Sequence, residues 1–213
     1  MNEELLAARR SALGELADHI QAMAGEHLES IALVDDELVA VARPQGLLPL
    51  LMFLRDDGAC LFKQMMDICG VDWPGRDKRF DVVYELLSMR HNLRLRLKVP
   101  VAEGGTVPSA VDLFSSAGWF EREAYDMFGI LFDGNPDLRR ILTDYGFAGH
   151  PLRKDFPQSG YVEVRYDEGE RRVVQEPVRL VQEYRTFDTL SPWVGPQEPR
   201  HPGDGKAAGT DGS

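Results

Sequence analysis

The chain has 213 residues, 43% apolar, 28% charged and 9% aromatic, and carries a formal net charge of −11. That composition excludes collagen-like, coiled-coil and wholly disordered chains, and supplies apolar material for one core, or one core with an appendage. The longest apolar run, residues 47–54 with Pro49 inside it, is far shorter than the roughly 20 residues a spanning helix requires, so the chain is not expected to cross a membrane by itself.

The opening MNEELLAARR places acids before bases and has no apolar signal core, which fits residence in a bacterial cytoplasm or inside an organelle that encodes the protein itself. Leu5, Leu13, Leu16, Ile20 and Met23 follow helical spacing, Ala8 and Ala12 fill the same stripe, and Gly25 supplies a stop. The spacing predicts an amphipathic helix. Residues 31–34 and 38–41 are β-prone runs around Asp35, Asp36 and Glu37, the pattern of a hairpin with an acidic turn. After the breakers Pro44 and Gly46, two short helices are expected over 47–54 and 61–69, separated by Asp56, Asp57 and Gly58 and ended by Gly70 and Pro74. In 93–99 every second residue is apolar and the others, Arg94, Arg96 and Lys98, are basic; Phe80, Val82, Tyr84 and Leu86 alternate likewise. These runs should pair as an antiparallel hairpin with one buried face, its basic row meeting either solvent or an acidic partner. Residues 107–114 read as helical, and Gly118 separates them from a second helix over 119–128. In that helix Phe120, Ala124, Met127 and Phe128 share the inward side, while Trp119, Arg122, Glu123 and Asp126 share the other. The fold class expected is α+β: a compact domain over 1–132 with a mostly antiparallel sheet and flanking helices.

From Asp133 onward the character changes. Eight of the thirteen prolines fall in the last 81 residues, and the helical stripes there are short, so an extended tail is expected over 133–195. Within it, 161–166 and 171–175 flank an acidic turn and predict a hairpin, a unit that is marginal in isolation. The tail also carries Phe147, Phe156, Tyr161, Tyr166, Tyr184, Phe187 and Trp193, more rings than it can bury, so it should wrap its own domain or grip another chain. Residues 196–213, rich in Pro and Gly, are expected to be disordered.

Two cysteines, Cys60 and Cys69, write neither a disulfide framework nor a zinc ribbon, and they are too few for the four thiolates an iron-sulfur cluster normally takes. Charge is uneven: residues 1–40 hold nine acids and two bases, whereas 76–98 hold seven bases and three acids. An acidic chain with one basic strand argues against nucleic acid as a partner. Phosphate loops, dinucleotide turns, nucleophile elbows, HExxH pairs and CxxC are all missing. His150, in FAGHPLRKDFP, reads as a hydrogen-bonded structural residue rather than a general base. Glu121 and Glu123 point some 200 degrees apart on a helix and cannot flank one bond. Arg122 and Asp126, at i and i+4, can form a surface ion pair. Mixed charge among aromatics and turns favours an interface over catalysis, with Arg forks available for carboxylates; a cofactor-independent enzyme using Glu121, Asp126 or His150 is the rival of a different class.

The run WFEREAYDMFGILFDGNPDLRRILTDYGFAGHPLRKDFP, residues 119–157, resembles the signature of the 30 kDa subunit of respiratory complex I, the subunit designated C in bacterial NADH-quinone oxidoreductase. GYVEVRYDE and EYRTFDTLSPW are similar to the same family's tail, and the likeness covers about residues 30–195. Asn135 departs from it, standing where the family usually has His or Lys. The resemblance implies a subunit that holds no cofactor, beside the 49 kDa (D) subunit in the hydrophilic arm. It also implies a peripheral place on the cytoplasmic side of the bacterial inner membrane, or on the matrix side if the chain is organelle-encoded. The implied complex passes electrons from NADH through FMN and iron-sulfur clusters to quinone and moves protons; a related membrane-bound hydrogenase or other quinone-linked complex is the alternative parent. On this reading Arg122, Glu123, Asp126, Arg139, Arg140 and Arg153 form an orienting polar network toward partners, and Tyr161, Tyr166, Phe187 and Trp193 serve as apolar anchors.

Overall fold

Period-two alternation dominates the middle of the chain, and it builds a five-stranded sheet. The computed structural model describes residues 3–180 and 182. Its elements run α1 (Glu3–Ala24), β1 (Leu28–Val34), β2 (Glu37–Ala42), α2 (Leu47–Asp56), β3 (Gln64–Asp72), β4 (Phe80–Ser88), β5 (Leu93–Val101), β6 (Thr106–Pro108), α3 (Ala117–Phe128), β7 (Leu131–Asp133), β8 (Val162–Asp167) and β9 (Arg172–Pro177). The strand order is β1-β2-β5-β4-β3, with β2 and β5 parallel and the other neighbours antiparallel, so the class is α+β with a mixed sheet.

Register explains the core. Ala40, Leu97, Tyr84 and Ile68 lie on one rung across four strands, Leu38, Leu95, Leu86 and Met65 on another, and all eight side chains are buried. Inward residues of α1 (Leu13, Leu16, Ile20), α2 (Leu47, Leu50, Leu51, Leu54) and α3 (Ala117, Ala124) join these in one apolar cluster. On the opposite face Arg96 sits between Glu85 and Glu37 at 2.6 and 2.7 Å, so this member of the basic row is paired within its own sheet. In α1 the stripe ends on Ala24, and Met23, expected inward, is exposed.

Two of the expected helices give way to strands. In place of a helix over 61–69, β3 begins at Gln64 and pairs with β4, with a bulge between Met65 and Asp67. The bulge puts Met65 and Ile68 both on the buried side, and Phe62, just before the strand, is buried as well, a three-residue spacing that imitates a helix. Over 107–114 the chain instead forms β6, parallel to β7, followed by one turn closed by Phe114 N to Ala110 O at 2.9 Å.

The chain divides at Gly160, into Met1–Gly160 and Tyr161–Ser213, whereas an extended tail is expected from 133 on the sequence pattern. Residues 133–160 belong to the first unit because buried carboxylates of α3 and β3 bind their backbone. In the second unit, β8 and β9 form the expected antiparallel hairpin, and Val162, Val164, Tyr166 and Val173 are exposed. Among the described residues no helix is long and apolar enough to cross a membrane.

Candidate partner-contact site

The chemistry-bearing residues converge on α3. Asp126, fully buried, is its hub: Oδ2 accepts the backbone amides of Ile141, Leu142 and Thr143 at 3.0, 2.7 and 2.9 Å, and Oδ1 accepts Arg140 Nη1 at 2.8 Å and the Thr143 hydroxyl. Burial pushes this carboxyl up, but the Thr143 hydroxyl, the amides and the Arg140 guanidinium outweigh it and hold the group well below the usual carboxylate range. The i,i+4 pair of Arg122 with Asp126 is not made. Arg122 instead donates Nε and Nη2 to the carbonyls of Arg139 and Arg140, both at 3.0 Å, so helix and loop are joined in both directions.

A helix leaves its last carbonyls without partners, and residues 150–153 supply them here. His150 Nδ1 donates to Asp126 O at 3.0 Å, Leu152 N to Met127 O at 3.1 Å, and Arg153 Nε to Phe128 O at 2.6 Å. Arg153 also brings positive charge to the negative end of the helix dipole. Gly129 closes the helix at φ 75°, and a Cβ there would lie 2.6 Å from both Arg153 Nη2 and His150 Nε2. Gly129→Ala should lower stability by about 1–2 kcal/mol from left-handed strain alone. Gly146, at φ 77° with open space around it, isolates that strain. Thermal unfolding should therefore show a larger loss for Gly129→Ala than for Gly146→Ala; equal losses would mean that the capping contacts contribute nothing.

Glu121, also fully buried, accepts Ala110 N, Ser109 Oγ and Asn135 Nδ2, each at 2.7 Å, and burial pushes its carboxyl up. Asn135 thus has a place despite its departure from the resemblance: its amide holds Glu121 while its Oδ1 accepts Asp137 N at 2.8 Å. At the sheet end Arg79 binds Asp72 through Nε and Nη2 at 2.7 and 3.0 Å, Glu103 at 3.1 Å and Asp155 at 2.9 Å, and Asp72 also accepts Lys154 N.

Of the residues expected to meet partners, Arg122, Asp126, Arg139 and Arg140 are brought together. Arg122, Arg139 and Arg140 line a groove of about 600 Å³ that also includes Trp119 and Tyr145. Glu123 lies instead at a smaller cleft with Asp67, Cys69 and Leu152, and Arg153 bridges the helix end to Glu103 at 2.6 Å. Tyr161 and Tyr166 are exposed in the second unit, and Phe187 and Trp193 lie outside the described residues. Sequence reasoning passed over Tyr145, 99% exposed, and Leu142, whose outward placement follows from an amide ladder onto Asp126 that leaves no periodicity. Of the residues of the rival enzyme reading, Glu121 and Asp126 are buried and accept loop amides, and the His150 imidazole is engaged in the cap.

One group among the described residues, His19, Asp57 and Cys60, places three ligand-type atoms within 4.8 Å of one another. His19 Nε2 and Asp57 Oδ1 are 3.0 Å apart, and burial, reinforced by Asp57, pushes the Cys60 thiol up to about 12.

The family model described as "Respiratory-chain NADH dehydrogenase, 30 Kd subunit" matches residues 40–162. The chain is 56% identical over 197 residues to the NADH-quinone oxidoreductase subunit designated C of Paramagnetospirillum magneticum, covering 92% of this chain and 98% of that one. It is 58% identical over 196 residues to the protein of the same name from Rhizobium rhizogenes, with the same coverage. Among solved structures, a chain of the membrane-bound sulfane sulfur reductase, an archaeal respiratory membrane complex, shares the fold with a TM-score of 0.58 at 24% identity, over 76% of this chain and 98% of that one. The chain therefore belongs to the 30 kDa subunit family of respiratory-chain NADH dehydrogenase, in its NADH-quinone oxidoreductase branch.

Proposed function

We propose that the chain is a non-redox scaffold and assembly subunit in the hydrophilic arm of a proton-translocating NADH-quinone oxidoreductase, and that it contacts the 49 kDa (D) subunit. Electrons pass from NADH through FMN and iron-sulfur clusters in neighbouring subunits to quinone, and this chain holds no cofactor. The observation that carries the reading is the loop fastened to α3: its polar groups are engaged in fixing residues 139–153, while Trp119, Leu142 and Tyr145 are left outward. Outward apolar side chains on a helix and on the loop fastened to it suit a permanent contact, because little conformational freedom is lost on binding. Two cysteines, both with thiols pushed up by burial, also suit a chain whose redox centres belong to its partners. The chain sits peripherally on the cytoplasmic side of the inner membrane, or on the matrix side if organelle-encoded. The relatives' shared name favours an NADH-linked parent over a hydrogenase-type one.

Cutting the chain after Gly160, where the units divide, tests this. Expressed in cells lacking their own copy, the full chain should co-purify with the complex. The truncated one should unfold cooperatively as a free domain but fail to join it. Normal incorporation of the truncated chain would remove residues 161–213 from assembly, and failure of the full chain to co-purify would remove the subunit reading itself.

A further inference from the structure

The groove beside α3 departs in charge from the chain as a whole. The chain as a whole carries −11, yet the groove is lined by three arginines, Arg122, Arg139 and Arg140, against one acid, Asp144. Two of the arginines are fixed from behind: Arg122 by the carbonyls of Arg139 and Arg140, and Arg140 by Asp126 at 2.8 Å and Gly149 O at 3.0 Å. Arg139 stands forward, with 73% of its side chain exposed and Nε facing Asp137 at 2.7 Å. Trp119, 64% exposed, lies under the Arg122 guanidinium at 5.2 Å, and the Tyr145 ring completes the wall.

We propose that this groove is the docking site for a carboxylate-bearing segment of a neighbouring subunit, seated between the Trp119 and Tyr145 rings and held by the Arg139 guanidinium. The inference rests on the subunit reading above and adds the chemistry of the contact. A guanidinium fork matches a carboxylate in two parallel hydrogen bonds, and exposed Trp, Tyr and Arg are the side chains that most often anchor interfaces. Arg122 and Arg140 are already ordered, so docking does not have to immobilise them. A second copy of the chain and an anionic bilayer are both disfavoured by the same charge, since each would approach a body of −11 with like sign. An acidic segment would instead meet a groove whose lining carries three arginines against one carboxylate.

The test places the photo-crosslinker p-benzoylphenylalanine at Tyr145, a position so exposed that the fold does not depend on its side chain. The full chain is expressed in cells lacking their own copy, the intact complex is isolated and irradiated, and the crosslinked peptide is sequenced by mass spectrometry. The expected product joins residue 145 to a stretch of another subunit containing Asp or Glu. Adding Arg139→Glu should reduce that product about tenfold, as a like-charge contact replaces an ion pair, while Arg139→Lys should retain most of it. A crosslink to a second copy, to the chain's own residues, to lipid or to a segment without acids would overturn the proposal, as would no crosslink at all or a yield indifferent to Arg139→Glu. If the chain is missing from the isolated complex, the subunit reading fails instead, and the two failures are distinguishable.

Discussion

Asp126→Ala should lower the free energy of unfolding by about 3–5 kcal/mol, because it removes a buried acceptor that serves three backbone amides, a hydroxyl and a guanidinium at once. In a domain of this size that corresponds to a fall of roughly 10 °C in the thermal midpoint. The five-stranded sheet supplies none of the hydrogen bonds to the Asp126 carboxylate, so far-UV circular dichroism at room temperature should be retained while protease sites open around 139–146. Acid supplies a second readout. The folded carboxyl lies below its ordinary value, so its stabilisation is fully present above the unfolded value, about pH 4, and is lost as pH falls toward the folded one. The stability difference between wild type and Asp126→Ala should accordingly be constant from neutrality to about pH 5 and shrink below about pH 4. A difference that persists unchanged into acid would mean that the charge of Asp126 is not what holds the loop. Complex assembly should fall with it, since Leu142 is carried by an amide that Asp126 fixes and Tyr145 follows two residues after the last of those amides.

The parts of the fold legible in the sequence are those where one interaction sets the period. The β1–β2 and β4–β5 hairpins follow from alternation around Asp35 and Asp36 and around residues 89–92, and the helical stripe of α3 correctly turns Ala124 and Met127 inward. The helix expected over 61–69 fails because a bulge at Met65 to Asp67 replaces a two-residue period with a three-residue one. The helix expected over 107–114 fails because Val107 is claimed by a strand partner, Phe132, that lies 25 residues onward. The site is legible in part for a related reason. Arg122, Arg139 and Arg140 can be suspected from composition, but Asp126 on the supposed open face of its helix is buried at 0% exposure because the following loop folds back over it. No periodicity records a carboxylate that pairs with three consecutive amides. Asn135 is a parallel case, since its amide satisfies Glu121, a carboxyl that tertiary packing buries.

Arg79→Ala should be comparably severe, at about 3–5 kcal/mol, because it strands Asp72, whose side chain is 1% exposed. Hydrogen bonding to Arg79 is the chief cause that holds Asp72 below the usual carboxylate range, working against burial. Arg79→Lys should recover little, because one ammonium cannot reproduce a fork that reaches Asp72, Glu103 and Asp155 together. Replacing both members, as in Arg79→Met with Asp72→Leu, should be milder than Arg79→Ala alone, since the stranded charge is then gone. The comparison with Asp126 tests how the loop is built. Asp126 fastens residues 141–143 to α3, and Arg79 with Asp72 fastens residues 154 and 155 to the sheet, so the two anchors hold the ends of one segment. If that segment folds as a unit, releasing one end removes much of the value of the other, and the chain carrying both Asp126→Ala and Arg79→Ala should lose less than the sum of the single losses. Strict additivity in urea unfolding would mean instead that residues 139–146 and 150–155 are held independently, and that only the former is needed to present Tyr145.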